Sequence, residues 1–312
     1  MTSATTIFGY GPVGRATAAL LAGRGYRVRV VQRTTPARLP VGADFLKGDL
    51  LDRASVEAAA QGASHVVCAV GLPYRSAVWE RDWPVVMANL IAACEATGAR
   101  LVFADNLYMV GPQTAPLVET MPLTDYGLKP KVRAAITRQW QAAHEAGRIR
   151  AVAVRASDFY GPDVATSVIT EFGVRRLLAG KAALVPYSPD HPHDFTYVPD
   201  FARAIASLID APDDAYGSAW HVPNAPTMTL RAVLSRAAEL AGVPLKISVM
   251  PDWIKPLVGL FVPEVAEMRE MRFQTDRPYH VDHSKFAARF WSDPTPFDTG
   301  LKATIAACRE AA

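Results

Sequence analysis

Gly9-Tyr10-Gly11-Pro12-Val13-Gly14 is the stretch of this chain whose spacing most directly implies chemistry. It follows the short β-branched run Thr5–Phe8 and opens an Ala-rich helical pattern, Gly14–Gly23. In that context Gly9 permits a tight turn and Gly11 lets backbone approach a pyrophosphate. Gly14 lets the helix pack on the strand, and the helix N-terminus faces the anion with free N–H groups. The alternative is a strand–helix turn with no ligand. The second strand, Arg27–Val31, ends in Gln32-Arg33-Thr34 with no acid to hold a ribose 2′-hydroxyl. Arg33 offers a guanidinium suited to a 2′-phosphate, and Arg15 could add a second charge. The expected cofactor is therefore NADP(H), ahead of NAD(H). Asp49 can accept from an adenine amino group, with Leu50 against the ring; Asp52 reads as a helix N-cap.

A chain of 312 residues, half apolar and 20% charged, can bury a sizeable core. A net charge of +3 (33 − 30) without runs of like charge argues against nucleic acid or an anionic membrane as partner. Cys68, Cys94 and Cys308 have no paired spacing and read as reduced thiols in a cytoplasmic protein; no metal-ligand spacing occurs. The N-terminus leaves no room for a signal peptide, and no apolar run is long enough to span a membrane.

Strand-like runs at Thr5–Phe8, Arg27–Val31, Ala43–Lys47, His65–Val70, Arg100–Ala104 and Ile149–Arg155 are separated by helical segments. The helices are Gly14–Gly23, Arg53–Gln61, Val78–Thr97 and Lys131–Ala146. This order predicts an α/β fold, a doubly wound parallel sheet of Rossmann type over residues 1–160. Residues 161–312 predict a smaller, loop-rich substrate lobe, with segments returning to the Rossmann body near 193–224. Helices are expected at Val164–Ala179, Asp200–Asp210 and Leu230–Ala241. The apolar stretch Ile254–Val262 reads as a buried helix or a lid.

Arg155-Ala156-Ser157-Asp158-Phe159-Tyr160-Gly161-Pro162 is similar to the Arg-Pro-Gly-Asn-x-Tyr-Gly-Pro segment of the extended short-chain dehydrogenase/reductases, the NAD(P)-dependent epimerase/dehydratase type. His193-Asp194-Phe195-Thr196-Tyr197-Val198-Pro199-Asp200 resembles that family's Arg-Asp-Phe-x-Tyr-Val-x-Asp. With the glycine motif, the resemblance covers nearly the whole chain. It implies a catalytic Tyr and Lys four residues apart, but no tyrosine here has Lys at that spacing. Lys129 and Arg133 have the spacing and are assigned the dyad positions, with Lys131 a rival for the first. The catalytic Ser/Thr slot falls on Asn106. The resemblance thus implies Asn106 as carbonyl anchor, Lys129 or Tyr108 as proton donor, and Arg133 as ribose clamp. The bland alternatives are a turn cap for Asn106 and solvated charges at a helix start.

Asp158 replaces the family's Asn and is expected to touch substrate. His193 stands where an Arg often grips a diphosphate, so the substrate is expected not to be nucleotide-linked. The resemblance further implies a homodimer through Val78–Thr97 and Lys131–Ala146, or else a monomer with those faces on the sheet. The expected function is NADP(H)-dependent hydride transfer to or from a small carbonyl or alcohol. The alternatives are a sugar epimerase or dehydratase retaining NAD(P), and a non-catalytic NADP(H)-binding regulator.

Overall fold

The computed structural model describes residues 4–251, 253–255, 257, 261 and 266–311. It divides into two compact units. The first comprises Met1–Val110, Pro122–Ala156 and Phe201–Trp220; the second comprises Gly111–Met121, Ser157–Asp200 and His221–Ala312.

The first unit is built on β1 (Ala4–Phe8), α1 (Pro12–Gly23), β2 (Arg27–Gln32), β3 (Ala43–Lys47), α2 (Arg53–Ala60) and β4 (Ala63–Cys68). They are followed by α3 (Ser76–Thr97), β5 (Arg100–Asp105), α4 (Lys129–Glu145) and β6 (Ala151–Arg155). The sheet order is β3-β2-β1-β4-β5-β6, with the strand Ala219–His221 beside β6. Strands β1 to β6 pair in parallel. The strand order reverses at β1, which pairs with both β2 and β4. That switch point is where open α/β sheets take ligands, outside the carboxyl ends of the strands.

Burial follows strand position. Every residue of β1 is buried, as a strand covered on both faces requires. At the edge, β3 exposes Asp44 and Lys47, charges that discourage further pairing. Trp79, Trp83 and Met87 of α3 are buried in the same core as Phe103 and Trp140. They pack the interior, as their helical spacing suggests. Asp52 caps α2 by accepting from the Ala54 N–H at 3.0 Å. Helix α3 ends on Gly98 in the left-handed conformation (φ 71°).

The second unit has short strands: β7 (Asp158–Tyr160), β8 (Ala183–Val185), β9 (Pro192–His193) and β10 (Phe195–Tyr197). β7 pairs with β10 in parallel, and β9 pairs with Met228–Thr229 antiparallel. Tyr160, Phe195, Leu234, Phe297 and Leu301 lie in its core. The helix Leu230–Ala241 has the predicted bounds, started by Thr229 accepting from Ala232 N–H and stopped by Gly242.

The helix expected over Val164–Ala179 is shorter. A π-helical turn covers Thr170–Val174 and an α-turn Arg175–Leu178. Asp163 has φ 61°, and Ser167 Oγ accepts from the N–H groups of Ile169 and Thr170, so turn geometry holds the chain until Thr170. Of the stretch 254–262, residues 256, 258–260 and 262 lie outside the described residues. Leu257 and Phe261 are exposed, contrary to a buried helix.

Candidate functional site

The three glycines of the first turn meet three different surroundings. Gly9 has φ 95°, and a Cβ there would lie 2.7 Å from the Ala69 carbonyl oxygen. A Cβ on Gly14 would overlap the Gly9 carbonyl. A Cβ on Gly11 would meet nothing within 4 Å. Gly9 and Gly14 are thus demanded by the fold, whereas Gly11 borders open space. Gly11 is also the N-cap of the 12-residue α1, with no side chain capping the first turn and Pro12 opening the helix. Val13 is buried beneath that turn. Uncapped amides beside an open, side-chain-free surface fit a dinucleotide pyrophosphate.

Arg33 is exposed just beyond β2. Arg15 is exposed too; its Nε donates to the Tyr10 carbonyl at 3.1 Å, and its guanidinium lies 5.6 Å from the Tyr10 ring centre. Asp49 Oδ1 accepts from the Leu51 N–H at 3.0 Å. Leu50 is buried, and its carbonyl accepts from Asn89 Nδ2 at 2.8 Å.

Asn106 caps a turn: its Oδ1 accepts from the Tyr108 N–H at 3.1 Å. That bond uses the amide oxygen and leaves the NH2 group to donate elsewhere. The Tyr108 ring stacks on Trp79, 6.0 Å between centroids. Lys129 is fully buried. Its Nζ donates to Ser76 Oγ at 2.9 Å and stands 4.5 Å from the Tyr74 ring centre.

Arg133 is also buried. Its Nη2 donates to Asp105 Oδ1, and its guanidinium lies 4.4 Å from the Trp83 ring centre. Arg155 Nε approaches the other oxygen of Asp105 to 3.6 Å. The residues assigned to the dyad positions are therefore engaged with Ser76, Tyr74 and Asp105.

In the second unit, Asp158 and His193 come together. His193 Nε2 lies 3.0 Å from Asp158 Oδ2, and Nδ1 lies 3.1 Å from the Gln274 carbonyl oxygen. A carbonyl only accepts, so Nδ1 carries a proton; Nε2 can bond the Asp158 carboxylate only when it carries one as well. The ring is buried against Phe195 and Tyr279, with centroids 4.7 and 5.1 Å away. Asp158 is half-buried. Burial, with Asp158 adding to it, pushes the Tyr187 phenol well above its ordinary range. Among the described residues no group of three or more His, Cys, Asp or Glu could hold a metal ion, and no helix is long and apolar enough to cross a membrane.

No curated protein sequence matches the chain. Solved structures do match its fold. UDP-glucose 4-epimerase of Thermus thermophilus, in complex with NAD, is 21% identical with a TM-score of 0.78, over 99% of this chain and 100% of that one. UDP-glucuronic acid 4-epimerase of Bacillus cereus, in complex with UDP-glucuronic acid and NAD, is 15% identical with a TM-score of 0.81, over 99% and 100%. The Bordetella bronchiseptica enzyme WbmH, in complex with NAD+, is 19% identical with a TM-score of 0.75, over 100% of both. At these identities the likeness is one of fold. Residues 7–222 match the family model described as NAD dependent epimerase/dehydratase, and the chain belongs to that family.

Proposed function

We propose that this protein is a nicotinamide-dinucleotide-dependent enzyme of the sugar epimerase or dehydratase kind, acting at a hydroxyl-bearing carbon with the cofactor retained. The observation that carries this reading is the open Gly11 surface at the uncapped start of α1, in a chain matching the family over residues 7–222. The UDP-sugar epimerases with the same fold favour it over a small-carbonyl oxidoreductase. When bound, the dinucleotide supplies the hydride acceptor and donor.

The chain's own residues hold and orient. The turn Gly9–Gly14 and the first amides of α1 bind the pyrophosphate. The Asn106 NH2 polarises the substrate oxygen, and Tyr108 or Lys129 holds the proton. Arg133, assigned as ribose clamp, is held by its pair with Asp105. Within the second unit taken by itself, Asp158 offers an acceptor to a hydroxyl and repels a phosphate, which favours a sugar without a diphosphate. A homodimer through α3 and α4 belongs to the same proposal.

A second reading, an NADP(H)-dependent carbonyl reductase, is favoured by the exposed Arg33 at a β2 end that lacks an acid. One experiment separates the two. The purified protein is inspected for bound cofactor absorbance, then assayed for oxidation of added NADPH with aldehydes, ketones and enones. Retained cofactor without net NADPH turnover supports the epimerase or dehydratase. Net turnover overturns it in favour of the reductase. Reversible binding without chemistry overturns both and leaves a dinucleotide-binding regulator.

A further inference from the structure

The second unit contains a cavity of about 390 Å³ whose lining includes Asp194, Asn224, Thr227, His280, Asp282 and His283. Its polar groups form a directed chain. Asp194 is buried; its Oδ2 accepts from the Val281 N–H at 2.7 Å, and its Oδ1 accepts from Thr227 Oγ1 at 2.5 Å. A hydroxyl has one proton, and Thr227 gives it to that carboxylate. Toward His280 Nδ1, 3.0 Å away, Thr227 can only accept. The proton of a neutral His280 therefore sits on Nδ1, and Nε2 keeps its lone pair. Nδ1 also lies 4.0 Å from Asp194 Oδ1, so the carboxylate supports this polarity directly. The imidazole is partly exposed, as an accessible acceptor must be.

We propose that this cavity is a binding site for a neutral polyol of sugar size, with His280 Nε2 as a hydrogen-bond acceptor polarised through Thr227 by Asp194. Two carboxylates, Asp194 and Asp282, and no Lys or Arg among the described lining residues disfavour an anion. Asp282 remains ionised, because bonds from Ser284 hold its carboxyl below the ordinary range. A purely cationic ligand would meet the two imidazoles as well. Pro116, Ala225, Pro226 and Val281 give the apolar wall that the C–H face of a sugar requires. The buried Nδ2 of Asn224 has no protein partner, a donor group still to be satisfied beside the cavity. The inference stands on this unit alone and goes beyond the hydride-transfer reading.

Nitrogen-15 NMR of the imidazoles at about pH 8, where an ordinary histidine is neutral, reads the tautomer. Calorimetric titration with D-glucose, and separately with inorganic phosphate, reads binding. The proposal expects an Nδ1–H tautomer for His280, a shift of its Nε2 with glucose, and none with phosphate. Thr227→Val is expected to lose the tautomer bias and weaken glucose binding about tenfold, the size of one hydrogen bond. Thr227→Ser, which keeps the hydroxyl, is expected to restore both. No glucose binding, a response to phosphate instead, or Thr227→Val binding like the native protein would each overturn the site. None of these outcomes touches the cofactor readout that tests the hydride-transfer reading.

Discussion

Asp105, the last residue of β5, accepts from the buried guanidinium of Arg133 on α4 and stands in register with Arg155, the last residue of β6. One carboxylate is thus shared by two buried guanidinium groups at the carboxyl end of the sheet. Removing one member of such a group leaves charge without compensation, which costs more than the intact pair contributes.

Arg133→Met is accordingly expected to destabilise the protein by about 3 kcal/mol. Asp105→Leu, which takes the shared carboxylate from both buried guanidinium groups, is expected to cost more than Arg133→Met. Urea unfolding midpoints test this. A single variant as stable as the native protein would show that the pair is dispensable.

His65 gives a pH dependence of known sign. Burial, and then the nearby Arg100, pull its imidazole from 6.5 down to about 4. Between those values the unfolded chain binds a proton that the folded chain does not. The contribution is full above the unfolded value and is lost as pH falls toward about 4, by at most about 1.4 kcal/mol per pH unit. His65→Leu should flatten the fall in stability between about pH 7 and about pH 5. Equal slopes in both proteins would reject the assignment.

Arg33→Ala should weaken NADP binding about tenfold or more and leave NAD nearly unchanged, if Arg33 pairs with a 2′-phosphate. Equal effects on both dinucleotides would remove Arg33 from that role.

Tyr108 and Lys129 compete for the proton. Tyr108→Phe keeps the ring that stacks on Trp79 and removes only the hydroxyl. It is expected to lower turnover about a hundredfold with little change in melting temperature. Lys129→Met, which also breaks the bond to Ser76, should lower stability as well. Full turnover in Tyr108→Phe would pass the role to Lys129.

Much of the first unit was legible because its strands are short β-branched runs spaced by Ala-rich helices, and because glycine spacing carries its own geometry. Asp52 was readable as a cap for the same local reason. The Asp105–Arg133–Arg155 group was not: it depends on the register of β5 with β6, which no local pattern encodes. A charged residue ending each of two buried strands was the signal available. Lys129 was legible as a dyad candidate or else a solvated cation at a helix start, but its partners were not: Ser76 and Tyr74 stand more than fifty residues earlier. The helix expected from Val164 failed because Ser167 and the left-handed Asp163 favour turns over helix until Thr170.

Gly11 offers the sharpest separation of fold from function, since its missing side chain opens onto empty space while those of Gly9 and Gly14 do not. Calorimetric titration of NADP(H) and NAD(H) into the native protein and Gly11→Val, with melting temperatures measured alongside, tests whether the first turn holds a dinucleotide. The native protein is expected to bind a dinucleotide, and the variant to melt within a few degrees of it but to bind at least about tenfold more weakly. A folded native protein that takes up neither dinucleotide at millimolar concentration, or a variant that binds as tightly as the native protein, would contradict this.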